Sequence, residues 1–170
     1  MTRFLHTSDW QLGQVRHYLS PRNDGDDPQA RFTQARIDAI RTIGGLARQR
    51  ECEFVVVAGD VFEHNALSRD ILARATEMFK RLPVPVYVLP GNHDPLVADS
   101  VFYKASADNV HVIADSAPIE VAPGVELVGA PYLSKRANHD LVRQALEPLE
   151  PAAGIRIAVG FAWTTVVAAE

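Results

Sequence analysis

The chain has 170 residues, 47% of them hydrophobic, with a formal net charge of −4 and a single cysteine. That length supports one buried core and excludes two full-size domains, and the acidic balance excludes a surface that coats nucleic acid indiscriminately, though not a local site for it. No apolar run reaches the roughly 18 residues of a membrane span and no signal peptide is visible. Cys52 precedes an apolar run, as a buried reduced thiol would, so a soluble cytoplasmic protein with no membrane contact is expected.

In chain order, Phe4-Leu5-His6 reads as a short strand, with His6 in a core or hydrogen-bonded role. The acidic run Asp24, Asp26, Asp27 lacks the ligand alternation and closing glutamate of a calcium loop and reads as a solvated turn. Phe32, Ala35, Ala39, Ile40, Ile43 and Ala47 form a helical stripe, interrupted by Gly44-Gly45. Each glycine costs about 1 kcal/mol relative to alanine, so this helix must rely on packing, or end early and resume. Phe54–Ala58 is a continuous apolar run, the pattern of a central strand covered on both faces within a parallel sheet. Ser68 is an N-cap candidate with Asp70 in the first turn, and Ile71, Leu72, Ala75, Phe79 and Leu82 form an apolar face that Pro83 stops. Pro85–Leu89 is the third strand, which completes a βαβαβ unit and predicts an α/β fold starting with a parallel sheet. Beyond residue 107, Val110–Ile113, Ile119–Val121 and Val125–Val128 predict a strand meander, followed by a helix over His139–Leu146 and a strand at Ile155–Val159. The basic residues Arg41, Arg48, Arg50, Lys80, Arg81, Lys135 and Arg136 read as solvated faces of helices and loops.

Three polar clusters follow the first three strands directly: Asp9 with Gln11, then Gly59-Asp60-Val61-Phe62-Glu63, then Gly91-Asn92-His93-Asp94. In an open α/β sheet the ligand crevice lies beyond the carboxyl ends of the strands, so these loops converge although they are 51 and 32 residues apart. Carboxylates, amide oxygens and an imidazole are donors for a hard or borderline divalent cation. A carboxylate such as Asp60 can bridge two ions roughly 3.5–4 Å apart, an arrangement that activates water against a phosphoester.

The motifs "SDWQLG", "GDVFE" and "GNHD", in this order after successive strands, resemble those of the calcineurin-like metallophosphoesterases. "FLHTSDWQLG", "VVVAGDVFEHN" and "LPGNHDP" are most similar to the SbcD-type DNA repair exonucleases, over residues 1–160. The resemblance implies the calcineurin-like fold, a sandwich left incomplete here, and a nuclease domain over 1–160 followed by an atypical tail over 161–170. It implies two metal ions, manganese or magnesium, with Asp9, Gln11, Asp60 and Asn92 as ligands. His93 would contact the scissile phosphate and protonate the leaving group, with Asp94 orienting its imidazole. The implied partners are DNA and an SMC-like ATPase.

Two positions depart from the family pattern. Gln11 stands where the family has a histidine; its oxygen suits a hard cation and shifts the site toward manganese or magnesium. Gly160-Phe161 stands where the family has Gly-His, and no histidine follows His139, so a truncated or frame-shifted product is the working expectation. Three functions therefore stay open: a DNA exonuclease using two-metal hydrolysis, a phosphoesterase acting on small nucleotides, and a non-catalytic fragment or interaction module.

Overall fold

In the computed structural model, which describes residues 1–19 and 25–161, the chain runs β1 (Phe4–Thr7), α1 (Pro28–Gln49), β2 (Phe54–Ala58), α2 (Arg69–Phe79), β3 (Val86–Leu89), a 3-10 turn (Val101–Tyr103), β4 (Val110–Val112), β5 (Ile119–Ala122), β6 (Val125–Ala130), α3 (Leu141–Leu146) and β7 (Ile155–Gly160). Strands β1-β2-β3-β4 form one all-parallel sheet in chain order, and β5-β6-β7 form a second sheet. The βαβαβ start is thus present, with β2 and β3 as the interior strands.

Side-chain alternation explains the layering. From β2 and β3, Val55, Val57, Val86 and Val88 face α1 and α2 and join Ile37, Ile40, Ala47, Ala75 and Phe79. The alternate residues Phe54, Val56, Ala58, Tyr87 and Leu89 face the second sheet, meeting Leu127 and Val159. Every residue of β2 is therefore buried, which is why it reads as an unbroken apolar run. Helix α3 covers the far face of β6 through Ala145 against Val128 and Ala130. The result is four layers, α/β/β/α.

The caps are local. Asp27 accepts a hydrogen bond from the Ala30 N–H at 3.0 Å with Pro28 opening α1, and Asp26 pairs with Arg31 at 3.2 Å. The acidic run is thus a helix entry at these two residues, and Asp24 lies outside the described residues. Helix α1 passes through Gly44-Gly45 without a break because a methyl group on Gly44 would lie 3.0 Å from Leu82 and 3.3 Å from Pro83. Glycine lets α1 approach the end of α2, and packing carries the helix. Ser68 caps α2 through Ile71 as expected, but the helix ends at Phe79, and Leu82 is reached through a turn.

Two expectations need correction. The three runs after residue 107 do not form one meander: β4 pairs parallel with β3, and only β5 and β6 form an antiparallel hairpin. Strand β7 pairs parallel with β6, with α3 as the crossover between them. His6 is exposed on the edge strand β1, not buried. The tail from residue 162 lies outside the described residues, while Cys52 is a free buried thiol.

Candidate active site

The loops after β1 and β2 run side by side beyond the strands. Asp9 N–H donates to the Gly59 carbonyl at 3.1 Å, Gln11 N–H to Asp60 at 2.9 Å and Leu12 N–H to Val61 at 2.9 Å, extending the parallel pairing past the sheet edge. Of the four non-glycine residues with positive φ among those described, three are Asp9 at 55°, Gln11 at 41° and Asp60 at 54°. Left-handed backbone at ordinary residues costs of order 1 kcal/mol each and persists where the surroundings enforce it, typically at functional sites. Here the shared ladder enforces it.

The third loop locks onto the second. His93 N–H donates to Asp60 Oδ1 at 3.1 Å. Asp94 has no exposed surface; its two oxygens accept from Phe62 N–H at 2.9 Å and Gly91 N–H at 2.8 Å, stitching the loops after β2 and β3 together. Gly91 leaves no room for a side chain, since a Cβ there would sit 2.1 Å from Asp60 Oδ1. Burial pushes the Asp94 carboxyl up to about 6, against the pull of those two N–H bonds. Burial also raises Asp60; the His93 N–H opposes the shift, and the charges of Asp9 and Glu63 add to it. A cation near Asp60 would relieve both the desolvation and the carboxylate repulsion.

The structure thus brings Asp9, Gln11, Asp60, Asn92 and His93 to one place, and it reassigns one contact. Asp94 does not orient the His93 imidazole. The His93 Nδ1 lies 3.0 Å from the Glu63 backbone oxygen, with the Glu63 carboxylate 3.8 Å away. Glu63 was visible in the "GDVFE" motif, but its reach to His93 was not. Arg36 and Gln14 carried no sequence signal at all. Arg36 donates to the Trp10 carbonyl at 3.0 Å and to Gln14 Oε1, and buried Gln14 donates to Gln11 Oε1 at 2.7 Å. This relay fixes which end of the Gln11 amide is the oxygen and leaves that oxygen a second lone pair.

The donor set suits a hard cation. Asn92 Oδ1 and Glu63 Oε2 are buried acceptors with no hydrogen-bond partner, and an orphaned buried oxygen calls for a positive ligand. Among the described residues no three His, Cys, Asp or Glu side chains converge to hold an ion, so the set depends on the amide oxygens of Gln11 and Asn92.

The opposite wall is apolar. Pairing of Ala130 with Gly160 delivers Phe161 over Gly59, where a Cβ would meet its ring at 2.5 Å. The Phe161 ring also lies edge-on to Tyr132 at 6.3 Å, and Tyr132 bonds through its backbone to Pro90 and Leu96 on either side of the third loop. Among the other histidines, His64 lies nearest in sequence; it is exposed, and its Nδ1 accepts from Ala66 N–H at 3.2 Å.

Comparisons with known proteins bear on the family. A DNA double-strand break repair protein Mre11 from Archaeoglobus fulgidus is 31% identical over 104 residues, covering 59% of this chain and 21% of that protein. The Mre11 of Saccharolobus solfataricus is 23% identical over 160 residues, covering 89% of this chain and 38% of that protein. The chain therefore spans well under half the length of these relatives. The crystal structure of the Pseudomonas putida nuclease MPE matches with a TM-score of 0.46 and 17% identity, over 92% of this chain and 60% of that one. The profile of the calcineurin-like phosphoesterases matches residues 2–158, a span that contains all three strand-end loops. The chain belongs to the calcineurin-like phosphoesterase family.

Proposed function

We propose that the chain is a divalent-metal-dependent phosphodiesterase acting on DNA, as a nuclease domain over residues 1–160 in a cytoplasmic repair complex. The observation that carries this reading is that Asp60, raised by burial, accepts from the loop that bears the orphaned Asn92 oxygen and that Asp94 ties down. Asp9, Gln11, Asp60 and Asn92 would hold the metal, manganese fitting oxygen donors of this kind. When bound, the metal supplies an activated water and neutralises charge on the phosphate.

The remaining work falls to the chain's own residues. His93 Nδ1 donates to the Glu63 carbonyl, which turns the far ring nitrogen outward as the atom that carries the proton for the leaving oxygen. The Glu63 carboxylate lies 3.8 Å from the same Nδ1. Asp94 holds the two loops in register, and the Arg36–Gln14 relay aims the Gln11 oxygen. An SMC-like ATPase presenting DNA ends is the partner that this reading implies.

Two observations support competing readings. The net charge of −4 favours a small nucleotide substrate, and Phe161 as an apolar wall favours a chain that holds metal poorly and serves as an interaction module. Degradation of linear duplex DNA in manganese tests the proposal, with activity expected to fall at least about a hundredfold in Asp60→Ala and His93→Ala. Activity surviving both changes would overturn it. Turnover of a small diester that is indifferent to salt, with no DNA cleavage, would favour the nucleotide reading.

A further inference from the structure

Helices α1 and α2 end at the edge of the sheet opposite the candidate site. The Arg50 carbonyl at the end of α1 accepts from Arg3, just before β1, and Asn109, just before β4, donates to the carbonyls of Phe79 and Leu82 at the end of α2. Between these two helix ends runs a groove made of two adjoining cavities, of about 250 Å³ and 140 Å³. Its floor is apolar, made of buried Ile37, Met78 and Leu82 with Gly44. Its rim carries Arg41, Arg48, Arg74 and Arg81, all exposed, against the single carboxylate of Glu77.

The rim keeps a surplus of positive charge after its local pairs are made. Arg41 pairs with Asp38 at 2.6 Å, Lys80 holds Glu77 at 3.0 Å, and Arg74 donates to the neutral amide of Gln34 at 3.0 Å. Among the described residues the Arg48 and Arg81 guanidinium groups make no hydrogen bond or salt bridge, though, after the hydrogen bond and charge of Lys80, the charge of Arg81 helps to lower the Glu77 carboxyl. A chain of net charge −4 thus concentrates surplus positive charge along one cleft between α1 and α2.

We propose that this groove docks an acidic peptide segment of a partner protein, with one apolar side chain seated on the Met78–Leu82 floor and flanking carboxylates on Arg48 and Arg81. Guanidinium groups pair with carboxylates in two-pronged geometry, and an apolar floor offers a leucine or phenylalanine what it cannot offer a phosphate backbone.

The test is fluorescence anisotropy of the full chain with a short labelled peptide bearing one leucine between two runs of glutamate. Saturable binding is expected, weakened at least about tenfold by Arg48→Glu with Arg81→Glu, as loss of two charge-assisted pairs requires. Gly45 offers a second variant, because nothing lies within 4 Å of its Cβ position. Gly45→Leu improves helix propensity and fills the groove, so it should fold at least as stably as the parent and bind the peptide more weakly. The same peptide with glycine for leucine should bind the parent less tightly. No binding, affinities unchanged in both variants, or a DNA duplex that displaces the peptide and depends on the same arginines would overturn the proposal.

Discussion

An Asp94→Ala chain is expected to unfold about 2–5 kcal/mol more easily than the parent, since each buried donor left without a partner costs about 1–3 kcal/mol. Asp94 is fully buried, and its two oxygens are the acceptors for Phe62 N–H and Gly91 N–H. Alanine leaves both amides dry and unpaired and opens a void at the junction of two loops. That loss is a large share of the roughly 5–15 kcal/mol that holds an ordinary domain together. Asp94→Asn should fall between, because its amide oxygen can serve one N–H while its NH₂ faces the other. Urea midpoints of the three chains measure the series. An alanine variant within about 0.5 kcal/mol of the parent, the range of surface changes, would show that Asp94 does not tie the loops.

Phe161→His should raise manganese affinity roughly tenfold to a hundredfold, the scale on which single coordinating or supporting groups act at metal sites. The reason is placement: β7 pairs with β6 through Ala130 and Gly160, which sets residue 161 over Gly59, next to Asp60. An imidazole there adds a nitrogen donor to a set that otherwise has only oxygens. The exchange removes edge-on contact with Tyr132 but is smaller than the ring it replaces, so the fold should tolerate it. Calorimetric titration of both chains with manganese reads the difference. Equal affinities would mean that position 161 does not face the cation.

The parts of this architecture that sequence reveals are those encoded by neighbours along the chain. Phe54–Ala58 is buried on both faces and shows it as an unbroken apolar run, and Ser68 marks the start of α2 through local backbone chemistry. Gly-Asp and Gly-Asn after strands marked the loops, because tight turns at strand ends require glycine there. What stayed hidden depends on residues distant in sequence. Val110–Val112 has too few residues to announce which sheet it joins, and its parallel partner β3 lies more than twenty residues away. Asp94 looked like a partner for its neighbour His93, yet its oxygens turn to Phe62 and Gly91 while Glu63 takes the imidazole. The Arg36–Gln14–Gln11 relay joins a helix to a loop across 22 residues, and no spacing rule reveals it. Similarly, Arg41 and Arg48 on one helix and Arg81 beyond another look like separate solvated faces until the helices pack.

The central claim is that the loops after β1, β2 and β3 form one divalent-cation site for phosphodiester hydrolysis. Asn92 offers the most direct test, because its side-chain oxygen is buried without a partner and no hydrogen bond is lost with it. Manganese titrated calorimetrically into the parent and into Asn92→Ala should bind the parent and bind the variant at least about tenfold more weakly, at unchanged urea midpoint. Equal affinity in the two chains, or no binding to the parent, would contradict the account.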